Sequence, residues 1–113
     1  MMNVQLRQRL ERMIARKIIR SALNYGHVIS VNDGEKGSGV RSSSVKGILK
    51  EMFGTDQDTL MIHTGDGELV GTVMLIYGNT GFDVIADHSW SMVGILADAN
   101  ALSYKLAKRY GYG

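Results

Sequence analysis

Residues 69–87 read LVGTVMLIYGNTGFDVIAD. Val, Ile, Tyr and Phe crowd both flanks, and these side chains fit a pleated, half-buried surface. Between them, Gly78-Asn79-Thr80-Gly81 supplies residue types that tolerate the backbone angles of a short hairpin turn. The stretch therefore predicts two antiparallel strands, about residues 68–77 and 82–87, joined by a tight turn. The first is apolar on both faces: Leu69, Val73, Leu75 and Tyr77 accompany Val70, Thr72, Met74 and Ile76. A strand with one wet face alternates with polar residues. Either this strand is covered on both sides, or its second face, with Met61 and Met74 and Ile76, is an interaction surface. The second reading is preferred here.

Working outward, residues 59–64 read as a neighbouring strand, joined through the Gly65-Asp66-Gly67 turn. Residues 27–31 are a further short strand. Residues 3–24 form an amphipathic helix with Leu6, Leu10, Met13, Ile14, Ile18 and Ala22 on one face, stopped by residues 24–26. A serine near Ser43 caps a short helix with Val45, Ile48, Leu49 and Met52 as its stripe, ended by Gly54. Ser89 or Ser91 caps a last helix reaching about Tyr110, with Met92, Ile95, Ala99, Leu102 and Leu106 inward. Trp90 reads as that helix's first packing anchor; exposed, it would instead suit an interface. The order is α-β-α-β-β-β-α. Two long apolar stripes must both be buried, most simply together on one sheet face. The expectation is an α+β two-layer sandwich: an antiparallel sheet of about four strands with two long helices on one face.

The 113 residues suffice for one domain with one core, so residues 1–113 are read as a single unit. With 44% hydrophobic and 21% charged residues, the composition is that of a folded globule, not a disordered tail. The absence of Cys excludes disulfides, thiol catalysis and cysteine zinc sites. There is no Pro, so Gly, Asn, Asp and Ser must make the turns. No apolar run approaches the ~18–20 residues of a membrane span. The N-terminal apolar residues are interleaved with Arg, unlike a secretory leader.

Charge is unevenly placed. Residues 1–25 carry an excess of five positive charges, while the remainder carries an excess of three negative ones. Arg9, Arg12, Arg16 and Arg20 form a stripe opposite the apolar face, a candidate nucleic-acid-binding surface. It lacks the aromatic interleaving that accompanies stacking on single strands. The plainer alternative is a solvated face, or pairing with acids such as Asp56, Asp58 or Asp87. The loop at residues 33–44 offers Gly37, Ser38, Gly39 and Arg41 as a weak phosphate cradle before a helix. No P-loop or G-x-G-x-x-G spacing is present, and a simple surface loop explains the composition equally. His63, Asp66, Asp83, Asp87 and His88 have metal-ligand chemistry but no recognisable spacing, and Asp87 fits a helix N-terminus. There is no nucleophile elbow. No catalytic residue, cofactor or metal is assigned.

The segment YGNTGFDVIADHS at residues 77–89 resembles a pattern of small uncharacterised bacteriophage, prophage and plasmid proteins, Y-G-N-x-G-x-D-V-I-x-D followed by a C-terminal helix. MIARKIIRSALNYGHVISVNDGE at residues 13–35 and the Asp56, Asp58, Leu60 spacing are similar too. Where such proteins often continue with Asp-Tyr-Thr, this chain has Asp87-His88-Ser89. The family carries no assigned activity, so the resemblance transfers no site. It implies a mobile-element accessory protein in a bacterial cytoplasm. The expectation from all of this is a non-enzymatic interaction protein binding a host or phage macromolecule, without membrane association and with a possible homodimer. The alternatives are a nucleic-acid-associated protein using the basic helix, and a small nucleotide or phosphate binder using the Gly-rich loop.

Overall fold

Helix α1 spans Val4–Asn24, because Asn3 caps it by accepting the Leu6 amide at 2.7 Å and an apolar stripe follows. Tyr25 closes it and Gly26, with φ +86°, turns the chain into strand β1, Val28–Asn32. The structure, a computed structural model, describes residues 3–32, 40–79 and 82–111. Ser44 caps the short helix α2, Val45–Lys50, through the Gly47 amide at 3.1 Å. Strands β2, Gln57–His63, and β3, Leu69–Ile76, follow, then β4, Ile85–His88. A 3-10 turn at Trp90–Met92 leads into helix α3, Val93–Arg109, whose last turn holds Lys108 and Arg109 against the negative end of the helix dipole.

The four strands form one antiparallel sheet in the order β1-β2-β3-β4. The α+β class and element order match the sequence reading. Ile29, Val31, Leu60, Ile62, Val73 and Leu75 point to one face and are buried with Leu10, Ile14, Ile18, Ile95 and Leu106 of the two long helices, which pack on each other. Each such Leu or Ile contributes roughly 1.5–3 kcal/mol by leaving water. Helix α2 packs on α1 and β1, adding Ile48 to this same core.

Several local expectations are corrected. Met13 is 41% exposed and Leu102 only half-buried, whereas Ala15, Ile19 and Leu96 are fully covered. Helix α2 stops at Lys50, and the left-handed residue beyond it is Phe53 (φ +68°), not Gly54. The Phe53 amide donates to Asp58 Oδ2 at 2.9 Å and its ring lies 4.9 Å from that of Tyr77, which holds an angle a bulky residue otherwise avoids. The β3–β4 connection is also not a tight turn. Phe82 (φ +60°) and Val84 leave the strand and enter the core, so β4 starts only at Ile85. Thr80 and Gly81 of the expected turn lie outside the described residues. Trp90 is no packing anchor: it is 91% exposed, and Met92 takes the buried place.

Gly71 shows why the 3-10 turn seats where it does. A Cβ there would meet Ser91 Oγ at 2.6 Å and Met92 Cε at 3.0 Å. The bare backbone lets Trp90–Met92 lie on β3, fastened by Ser91 Oγ donating to the Val70 carbonyl at 2.9 Å.

Candidate functional site

The helical spacing of Arg12, Arg16 and Arg20 places them on the solvent side of α1, where they face α2. Lys46 and Lys50, four apart on α2, stand on the other side of the groove so formed, with Val45 and Leu49 as its apolar floor. The groove encloses about 540 Å³. Five cationic side chains line it, and no carboxylate does among the described residues. Arg9 is exposed on the same stripe but does not line this groove. Helix α2 thus supplies the second half of a basic surface whose first half the sequence reading placed on α1 alone.

At its Arg12 end the groove meets a smaller cleft of about 310 Å³ between α1, the segment after α2 and the end of β3. Arg12 lines both spaces, with its guanidinium 4.7 Å above the Phe53 ring. Glu11 forms part of the cleft wall and is only 2% exposed. Its Oε2 accepts the Gly78 amide at 2.8 Å. Its Oε1 lies 4.0 Å from Arg7 Nε, an ion pair too long to be a hydrogen bond, and that Nε has no hydrogen-bond partner among the described residues. Tyr77 closes the cleft, its hydroxyl donating to Asp58 Oδ2 at 2.7 Å and its amide donating to the Asp56 carbonyl at 2.9 Å. Burial, then the hydrogen bond to Asp58 and the negative charges of Asp58 and Glu11, push the Tyr77 hydroxyl far above its ordinary range. It is a fixed donor here, not an acid-base group near neutral pH. Two guanidinium groups, from Arg7 and Arg12, face two carboxylates, from Glu11 and Asp56, so the cleft is balanced in charge, whereas the charged side chains that line the groove among the described residues are all positive.

The other sequence candidates disperse. Gly37, Ser38 and Gly39 lie outside the described residues. Arg41 is exposed and its Nη1 donates to the Gly67 carbonyl at 3.2 Å, so it braces the β2–β3 turn. His63 Nε2 lies 3.1 Å from Ser30 Oγ on neighbouring strands, and His88 Nδ1 lies 2.9 Å from the Ser89 carbonyl. Neither joins Asp66, Asp83 or Asp87 in a group of three metal-type ligands among the described residues. Met61, Met74 and Ile76 are half-buried on the sheet face turned away from α1 and α3, as the alternation of β2 and β3 requires.

Glu11, Arg7, Phe53, Tyr77, Lys46 and Lys50 were not singled out by sequence reasoning. Glu11 did carry a signal: it sits three and seven residues before Ile14 and Ile18, a carboxylate on the apolar face. The Phe53–Tyr77–Arg12 cluster is assembled from three elements and has no local signature. No protein-family model matches the chain, and neither a curated protein nor a solved structure matches it. No helix among the described residues is long and apolar enough to cross a membrane.

Proposed function

We propose that this chain is a non-enzymatic interaction protein whose partner is a nucleic acid, held by its phosphates in the groove between α1 and α2. The observation that carries the reading is the convergence of Arg12, Arg16, Arg20, Lys46 and Lys50 on one groove that no carboxylate among the described residues lines. Cations arranged in a row match the repeated charge of a phosphate backbone and gain from counterion release. The resemblance to phage and plasmid proteins supports a mobile-element accessory role in a bacterial cytoplasm.

Fluorescence anisotropy of a labelled oligonucleotide across a salt series tests the proposal. Affinity should fall linearly with the logarithm of salt, with a slope of roughly −0.7 per phosphate engaged on a single strand. Arg16→Ala and Arg20→Ala should each reduce that slope by about 0.7 without changing the melting temperature. No retention at low salt, or an unchanged slope in the double variant, refutes it.

A second reading concerns self-association. Met61, Met74 and Ile76 lie together on the outer sheet face, where Thr59 pairs with Met74 and Met61 pairs with Thr72, an apolar strip suited to a second copy and bordered on β4 by the exposed Asp87, the other cross-strand partner of Met74. Light scattering should give a dimer mass that Met74→Lys returns to the monomer; a monomer mass for the unaltered chain refutes it.

A further inference from the structure

We infer that the partner is single-stranded and that one of its bases, turned out of the stack, occupies the cleft beside Arg12. The inference rests on the reading that the α1–α2 groove holds phosphates, and it names the form of nucleic acid and the place where a base is bound. Three observations carry it. First, Arg12 lines groove and cleft alike, so a strand following the cations arrives at the cleft mouth. Second, the two spaces differ in charge: the groove suits phosphates, and the cleft, with Arg7 and Arg12 against Glu11 and Asp56, suits a neutral planar group rich in donors and acceptors. Third, Arg7 and Glu11 set a guanidinium beside a carboxylate in the cleft wall, held as an ion pair at 4.0 Å with the Arg7 side chain 36% exposed. A base edge presenting an acceptor next to a donor complements such a pair through the exposed part of the Arg7 guanidinium.

The stacking surface comes from elements remote in sequence. The Arg12 guanidinium sits 4.7 Å over the Phe53 ring, and Tyr77 backs Phe53 at 4.9 Å. Arg12 thereby covers the Phe53 ring, and the surface offered to a base is the outer plane of its guanidinium; unstacked bases of single strands lie on guanidinium planes of this kind. The cleft volume of about 310 Å³ is at the lower end of the roughly 300–1,000 Å³ typical of small-ligand sites, consistent with one base and not a stacked run. A base paired within a duplex cannot enter without being extruded.

The test compares three probes of equal length: a single strand, the same strand with abasic sites that retain every phosphate, and the duplex. It is run with deoxyribose and with ribose strands. The intact single strand should bind about tenfold more tightly than either of the others, the scale on which one base–aromatic stack acts. Gln8→Trp, which places a bulky side chain at the exposed rim of the cleft, should erase that difference and leave the salt slope intact. Glu11→Gln, checked for folding by circular dichroism, should reduce it. Arg16→Ala should weaken all three probes equally. Equal binding of intact, abasic and duplex probes overturns the cleft inference while the groove reading stands. Failure of every probe to bind at low salt overturns both.

Discussion

The buried carboxylate of Glu11, in the second turn of α1, accepts the backbone N–H of Gly78 at 2.8 Å across 67 residues of sequence. This bond ties the first helix to the end of β3 and forms the inner wall of the cleft. Glu11→Ala leaves the Gly78 amide without its acceptor, and buried polar groups left so cost about 1–3 kcal/mol. The expected result is a melting temperature lowered by several degrees. Glu11→Gln, which keeps an acceptor oxygen, should lose less. Thermal unfolding followed by circular dichroism orders the three proteins.

Tyr77 and Asp58 make the stability pH-dependent. The folded state holds the Tyr77 proton far more tightly than the unfolded chain, whose tyrosine titrates near about 10. This contribution is fully present below that pH and is lost as pH rises above it, by at most about 1.4 kcal/mol per pH unit. Tyr77→Phe is expected to be less stable at neutral pH, because Asp58 loses a donor. Its melting temperature should also fall less steeply than that of the unaltered chain between pH ~9 and ~11. Parallel curves would contradict the assignment.

Gly71 is expected to reject any larger residue. In Gly71→Val the new methyls meet Ser91 and Met92 at the start of α3, an overpacking that costs about 1–3 kcal/mol. The midpoint of urea unfolding should drop with an unchanged slope. An equal change at Gly65, whose added Cβ would meet nothing within 4 Å, should shift the midpoint much less.

Trp90 reports on its own surroundings. At 91% exposure its fluorescence should have the emission of hydrated indole and be readily quenched by acrylamide. Trp90→Ala should change stability by no more than about 0.5 kcal/mol, as surface substitutions generally do. Protected fluorescence in the free protein would show instead that this side chain is covered by another molecule.

The sequence by itself determined the element order, the antiparallel meander and the pairing of two amphipathic helices over one sheet face. These follow from periodicities of 3.6 and 2 and from turn residues, all properties of short windows. Leu10, Ile14, Ile18, Ile95 and Leu106 were legible as core for that reason, and Arg12, Arg16 and Arg20 as a solvent-facing stripe. The tertiary structure decided everything that depends on distant residues meeting. Phe53, not Gly54, takes the left-handed turn because Asp58 and Tyr77 hold it there. Trp90 is exposed while Ser91 and Met92 take the space beside Gly71. The basic stripe becomes a groove through Lys46 and Lys50 of another helix, and gains its missing aromatics from Phe53 and Tyr77, 41 and 65 positions beyond Arg12. Local propensity sets which segments become helix or strand; only packing of the whole chain brings charges and rings from separate segments to one place.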